Sequence, residues 1–168
     1  CTQNATAGEE WRRGWHPERF TRAPEPGNVL VVGGGPAGLE AALVAAKQGF
    51  EVTIAEQTDD WGGRVLKEST LPGMATWRRV RDYRVWALSQ MGNVSMYTNS
   101  ELDAEAALSF GADHIAVATG ARWTKRLYSA LEIPATPLDL PQILTPEDVF
   151  AGTVSADRVL VFDYDNYY

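Results

Sequence analysis

Six residues, Gly33-Gly34-Gly35-Pro36-Ala37-Gly38, restrict what this chain can fold into more than any other feature. They spell G-x-G-x-x-G, and a bare match of that kind says little. Here a short, nearly all-apolar run, Asn28 to Gly33 (NVLVVG), leads into it, as expected of a parallel strand buried on both faces. After it, Pro36 to Gln48 is rich in Ala and Leu at helical spacing, and Gly49 closes the helix as a C′ glycine. Glu51 to Ala55 (EVTIA) supplies a second strand, with the acidic Glu56 at its end. Strand, glycine turn, helix and strand form one βαβ unit, which crosses over right-handed in nearly all proteins. That is the context a dinucleotide-binding fingerprint requires. Gly33 permits the tight turn, Gly35 lets the backbone approach a pyrophosphate, and Gly38 lets helix and strand pack closely. The helix start at Pro36 and Ala37 then turns its free N–H groups toward the phosphates. Glu56 reads as the acceptor for the adenosine ribose hydroxyls, and its charge disfavours the 2′-phosphate of NADP. A tight turn that holds no ligand is the plainer alternative.

The rest of the chain extends this unit. Residues 1–27 carry little apolar periodicity and end in Arg22-Ala23-Pro24-Glu25-Pro26-Gly27, which predicts a lead-in arm and a linker. Residues 28–168 form the predicted domain: α/β, three-layer and Rossmann-like, with a central parallel sheet. A helix is expected from about Thr76 to Met91 and a short one from Asp103 to Phe110. Further strands are expected at Asn93 to Thr98, Asp113 to Ala118 and Arg158 to Phe162. Thr145-Pro146-Glu147-Asp148 opens the last helix, with Thr145 as N-cap, Pro146 at N1 and Asp148 completing a box.

Composition excludes several classes. A net charge of −7 argues against nucleic-acid and anionic-membrane partners. No apolar run approaches the roughly 20 residues that span a bilayer. The opening Cys1-Thr2-Gln3-Asn4 has neither a basic nor an apolar region of a secretory signal, and a lone thiol fits the cytoplasmic location expected here. With no initiating Met, and a stop just past a predicted strand, the chain reads as a piece of a larger protein. Cys1 is the sole cysteine, so no internal disulfide forms. His16 has no second ligand nearby, and no metal site is read there.

Two further glycine-bearing segments favour an FAD/ADP-type domain over a plain NAD dehydrogenase domain. Trp61-Gly62-Gly63-Arg64 follows the acidic residue, where such domains pass a glycine pair near the phosphates. Ala118-Thr119-Gly120 ends a strand, where the chain runs beside the dinucleotide. Candidate cofactor-binding residues are therefore Gly33, Gly35, Pro36, Ala37, Gly38, Glu56, Gly63, Arg64, Thr119 and Gly120. No catalytic residue is identified. On a helical wheel Trp77, Val80, Ala87, Leu88 and Met91 share one face with Arg84 in its middle. An unpaired buried guanidinium is too costly to keep, so Arg84 must meet an anion: a carboxylate within the domain, a bound nucleotide, or a group of the larger protein outside this chain. Arg78 and Arg79 point outward beside Trp86, as a solvated basic face.

Together CTQNATAGEEWRRGWHPERF (1–20), VLVVGGGPAGLEAA (29–42), WGGRVLKESTLPG (61–73) and VATGARW (117–123) resemble the trimethylamine, dimethylamine and histamine dehydrogenases and, more distantly, 2,4-dienoyl-CoA reductase. The resemblance covers nearly the whole chain. It implies a parent with FMN in an N-terminal barrel, a four-cysteine [4Fe–4S] cluster and two nucleotide-type domains, this being the first. That barrel is then the outside group open to Arg84. Cys1 then matches the last cluster ligand and does not function alone. The dehydrogenase members imply ADP in this fold, and the reductase branch implies FAD. Asp163-Tyr164-Asp165-Asn166-Tyr167-Tyr168 offers no glycine at the turn where the reductases bind a nicotinamide, which favours the dehydrogenase side. The expected function is a non-catalytic ADP-binding domain of an amine-oxidising flavoenzyme, with an FAD-binding reductase piece or an empty docking module as alternatives. Expected partners are the remaining domains of the parent, an electron-transferring flavoprotein-type acceptor, and further copies of the parent in a homo-oligomer.

Overall fold

The computed structural model describes residues 20–125 and 140–161, together with Asn4, Ala7, Gly8 and Trp11. Cys1, Trp15, His16 and residues 162–168, on which several expectations rest, lie outside the described residues. Contacts divide the chain into two compact units, Cys1–Gly120 and Ala121–Tyr168.

The first unit holds a four-stranded sheet: β1 (Asn28–Val32), β2 (Glu51–Ala55), β3 (Val94–Tyr97) and β4 (His114–Val117), in the order β3-β2-β1-β4. All three pairings are parallel. Side chains of β1 alternate between two cores, as a strand covered on both faces demands. On one face Val29 and Val31 pack with Val52 and Ile54 of β2, with Leu39, Ala42, Leu43 and Ala46, and with Leu88. On the other, Leu30 and Val32 meet Ala107, backed by Leu102, Ala112 and Ile115. Leu30, Leu39, Leu43 and Leu88 are at most 2 % exposed, and burying each contributes about 1.5–3 kcal/mol.

Helix α1 (Pro36–Lys47) connects β1 to β2, as the βαβ reading predicts. Its end is a Schellman motif. Phe50 N–H donates to Ala45 O and Gly49 N–H to Ala46 O, and Gly49 takes φ +98°. A short helix, α2 (Arg64–Glu68), follows the Trp61 loop; at five residues it is too brief for periodicity to announce it.

The helix expected from about Thr76 to Met91 is divided into a 3-10 turn, Ala75–Arg78, and α3 (Arg79–Ser89). The division moves Trp77 off the buried face, leaving it 38 % exposed, because three residues per turn rotate it away from the 3.6-residue stripe. Val80 and Leu88 stay buried, and Ala87 and Met91 pack against the core that contains Leu88. Buried Arg84 meets its anion inside the domain: its Nε lies 2.6 Å from Glu40 Oε2 on α1, and its Nη1 donates to Val80 O at 2.7 Å. This pair ties α1 to α3. Arg84→Ala leaves the Glu40 carboxylate facing the core, and we expect unfolding free energy to fall by about 2–3 kcal/mol, less than a fully buried pair because Glu40 is a quarter exposed. Urea denaturation checks this; a loss under 0.5 kcal/mol would mean that the pair is solvent-screened.

Helix α4 (Ala104–Ser109) covers the second face, N-capped by Asp103, whose Oδ1 accepts from Ala106 N–H at 2.8 Å. In the second unit α5 (Pro146–Phe150) carries the expected capping box between Thr145 and Asp148. Hydrogen bonds from the Thr145 backbone and hydroxyl hold the Asp148 carboxyl below its ordinary pKa. A lowered acid stabilises at pH above its unfolded pKa and ceases to as pH falls through the folded value. The cap is therefore expected to be complete at pH 5 and to be lost below the ordinary Asp value of about 3.9, read as faster exchange of the Thr145 amide that the carboxylate accepts. The strand expected at Arg158 to Phe162 does not form over its described part: Leu160 and Val161 are exposed and pair with no described strand, and a lone strand leaves its ladder groups unsatisfied.

Candidate functional site

Because the strands are parallel and in register, their carboxyl ends share one edge. Val32 lies opposite both Ala55 and Val117. The sheet order reverses at β1, with β2 and β3 on one side and β4 on the other. Open α/β sheets bind ligands at such a switch point. The glycine turn leaves β1 there, the Glu56 segment leaves β2, and the Thr119-Gly120 segment leaves β4.

Each glycine of the turn has a separate cause. Gly33 adopts φ +108°, and its N–H donates to Ala55 O at 2.8 Å. A side chain at Gly33 would run into the Ala118 carbonyl, with Thr119 N close behind, so the chain after β4 presses directly on the turn. A side chain at Gly38 would meet the Gly33 carbonyl oxygen, which is how α1 comes so near the strand. Gly35 differs. Its φ of −72° and ψ of 179° suit any residue, and a Cβ placed there meets no atom within 4 Å. The protein itself has no need of glycine at 35; the space in front of it is open. Gly63 lies beside Gly35, a Cβ on it falling 3.4 Å from Gly35 Cα. Gly35 is also the N-cap of α1, with no side-chain cap and with Pro36 next, so the α1 amides at this end are not taken by a capping side chain.

Glu56 is 6 % exposed. Its Oε2 accepts Gly34 N–H at 2.7 Å, and its Oε1 accepts the Thr58 N–H and hydroxyl, each at 2.9 Å. Counting two acceptor positions per oxygen leaves one on Oε2. Glu56 is therefore a strut between the glycine turn and the β2 end as well as a candidate ribose acceptor. Gly34 O accepts from Gly62 N–H at 2.8 Å, so both backbone groups of Gly34 are held. The Trp61 ring lies against Gly34 where a side chain would otherwise stand.

Arg81 of α3 secures the Trp61 loop. Its Nε donates to Trp61 O at 3.0 Å, its Nη2 pairs with Asp60 Oδ1, and its Nη1 with Asp82 Oδ1 at 2.9 Å. Asp60 Oδ1 also accepts Trp61 N–H at 2.8 Å. The Asp82 hydrogen bond first, then the Asp60 charge, outweigh desolvation and raise the guanidinium above its ordinary pKa, keeping it charged. Arg64 begins α2 beside Gly63, half exposed, its Nε 3.0 Å from Glu68 Oε1. Thr119 and Gly120 are exposed past β4, Gly120 at φ +79°. A cavity of about 230 Å³ opens on the sheet face opposite α1. It borders the site at Ala55 and Ser100, whose backbones bond Gly33 and Glu56.

The structure thus gathers Gly33 to Gly38, Glu56, Gly63 and Thr119 at one edge. Sequence reasoning left out Thr58, Asp60 and Arg81, none of which belongs to the fingerprint. Gly34 and Gly62 stood within the quoted motifs without an assigned task.

Among the described residues no helix is long and apolar enough to cross a membrane. The family model for FAD dependent oxidoreductases matches residues 28–124. Dimethylamine dehydrogenase of Hyphomicrobium sp. (strain x) is 39 % identical over all of this chain and 24 % of its own length. Two solved structures match 92 % of the chain and 24 % of their own. One is the 6-hydroxypseudooxynicotine amine oxidase of Pseudomonas geniculata N1, at 48 % identity and a TM-score of 0.83. The other is histamine dehydrogenase from Rhizobium sp. 4-9, at 46 % and 0.82. The chain spans about a quarter of the length of these relatives. It belongs to the FAD-dependent oxidoreductase family, in the group of the trimethylamine dehydrogenase-like amine dehydrogenases.

Proposed function

We propose that the Cys1–Gly120 unit holds the ADP part of an adenine nucleotide without itself catalysing a reaction, as one domain of a larger amine-oxidising flavoenzyme. The observation that carries this is the open space before Gly35, beside Gly63 and the start of α1 at the switch point of the sheet. Gly35 has no structural reason to be glycine, whereas a pyrophosphate lying against its backbone supplies one. The remaining acceptor position on Glu56 Oε2 suits one ribose hydroxyl. FAD is the second reading, favoured by the family match; it needs the same ADP contacts and adds the flavin.

For the parent, the names of the relatives support amine oxidation as the activity, and the resemblance supports FMN and a [4Fe–4S] cluster as its redox groups, with Cys1 as one of four ligands. The same resemblance supports a flavoprotein-type electron acceptor and homo-oligomer formation, and the lone thiol fits a cytoplasmic location. One cysteine cannot replace four thiolates. Iron and acid-labile sulfide in this chain alone are therefore expected at background, and four irons per chain or per small oligomer would remove the cluster assignment.

Titration calorimetry with ADP and FAD, beside chromatography of whatever heat releases from the purified chain, tests the nucleotide proposal. Saturable one-to-one ADP binding with no released FMN is expected. FAD on release, or FAD binding far tighter than ADP, selects the second reading. No binding of either nucleotide at millimolar concentration overturns both and leaves a docking module.

A further inference from the structure

We propose that Arg81 is a positioning residue for the diphosphate part of the nucleotide site, acting through Asp60 and Trp61 without touching the ligand. This inference rests on the nucleotide reading above and deepens it. The opening before Gly35 is bordered by two loops: the turn at Gly34-Gly35, which leads into α1, and the Trp61-Gly62-Gly63 segment, which leads into α2. They are joined by the Gly62 N–H to Gly34 O bond and by the Trp61 ring lying on Gly34. Each loop then needs an anchor. Glu56 anchors the first through Gly34 N–H. Arg81 anchors the second by gripping the Trp61 carbonyl and the Asp60 carboxylate, which itself accepts Trp61 N–H. Packing closes the arrangement on the Gly62 side, where an added Cβ would lie 2.9 Å from Arg81 Cγ. The Thr58 hydroxyl, shared between Glu56 Oε1 and Asp60 O, links the two anchors.

The guanidinium suits this task for a geometric reason. A planar fork can meet a carbonyl and two carboxylates along different edges at once, which an ammonium cannot. The Arg81 side chain is only 20 % exposed and comes from α3, a rigid element outside both loops. Loss of Arg81 frees the Trp61 loop and so releases Gly63 from its place beside Gly35. A ligand that reaches past Gly35 with a second phosphate suffers more than one that uses only the α1 end.

The test compares ADP with AMP in titration calorimetry on the whole chain, for the unaltered protein, Arg81→Ala and Arg81→Lys. Circular dichroism and the thermal midpoint establish that each variant is folded at the titration temperature. ADP affinity of Arg81→Ala is expected to fall at least tenfold and AMP affinity less than threefold. Arg81→Lys, which keeps one of the three contacts, should fall between for ADP. Should Arg81→Ala unfold, Asp60→Asn replaces it, with the same ordering of ADP over AMP expected at about half the effect. Equal losses for both nucleotides, or ADP affinity within twofold of the unaltered chain, overturn the proposal and leave Arg81 as a support of the fold. If the unaltered chain binds neither nucleotide, the nucleotide reading itself has failed, which the variants alone do not imitate.

Discussion

Replacing Gly35 by valine is expected to abolish detectable ADP binding while leaving the fold intact. Both halves follow from one observation. A Cβ at position 35 meets no protein atom within 4 Å, and the backbone there is in an ordinary extended conformation. The folded state therefore loses only the difference between glycine and valine as an N-cap, on the order of 1 kcal/mol. A phosphate lying against that backbone, in contrast, collides with both Cγ atoms. Exclusion of this kind is not a matter of one lost hydrogen bond, and a fall of more than a hundredfold in affinity, about 2.7 kcal/mol, is expected. Gly38→Ala is the control that separates folding from binding. Its added carbon runs into the Gly33 carbonyl, so it should lose stability first, as an overpacked contact that costs about 1–3 kcal/mol or more. Circular dichroism, thermal melts and ADP calorimetry on the two variants distinguish the roles. A folded Gly35→Val chain that binds ADP like the unaltered protein would falsify the placement of the nucleotide against this turn.

The contrast between these two glycines marks what the sequence could reveal. The motif in its βαβ context already gave the three glycines separate tasks, Gly33 the turn, Gly35 the pyrophosphate and Gly38 the packing. The coordinates add the contacts behind them: backbone atoms that a side chain at Gly33 or Gly38 would strike, and open space at Gly35. The βαβ unit was legible for a similar reason: β1, α1 and β2 each carry a local signal, in the apolar run of Asn28 to Val32, the Ala–Leu periodicity and the Gly49 stop, and these signals agree. Helix α3 was legible in part. Its face of Val80, Arg84 and Leu88 is a 3.6-residue pattern, but the 3-10 turn before it obeys another period and so displaced Trp77. Arg84 could be said to need an anion; which one depended on α1 lying alongside, and Glu40 is 44 residues away in sequence. The same holds for Arg81. Four charged residues, Arg78, Arg79, Arg81 and Asp82, crowd this stretch of the chain, and nothing local says which one reaches the Trp61 loop. Tertiary partners of charged side chains are the part of a site that composition and spacing do not carry. The resemblance supplied the family, which the comparisons bear out, and loops such as Trp61-Gly62-Gly63-Arg64 carried it along with the β1 and α1 segment at 29–42 and the opening at 1–20.

Glu56 brings the second large effect, and the structure changes what its removal should do. As a ribose acceptor alone, Glu56→Ala would weaken ADP and leave the turn undisturbed. The carboxylate is also the partner of Gly34 N–H, in a buried bond, and of both Thr58 donors. Truncation leaves the Gly34 amide without its acceptor, which costs about 1–3 kcal/mol, and adds a smaller loss at Thr58, where water has access. We expect unfolding free energy to fall by about 2–4 kcal/mol and ADP affinity to fall about ten- to a hundredfold. Preference for ADP over 2′-phosphorylated nucleotides should narrow as well, since the repelling charge is gone. Glu56→Gln resolves the two roles. Its single carbonyl oxygen can serve Gly34 or Thr58 but not both, and its amide group donates where the site supplies donors. It should therefore sit between the unaltered chain and Glu56→Ala in stability, while discriminating against 2′-phosphate as poorly as the alanine variant, because discrimination follows charge rather than shape. Chemical denaturation with and without saturating ADP, beside calorimetry with ADP and 2′-phosphorylated AMP, measures all three quantities. If Glu56→Ala loses stability but binds ADP unchanged, the residue is a strut and the ribose is held elsewhere. If it loses ADP with no loss of stability, the bonds to Gly34 and Thr58 contribute nothing net to the fold. The geometry requires both losses at once, because the oxygen left to take a ribose hydroxyl, Oε2, is the one that fixes Gly34 beside the phosphate gap.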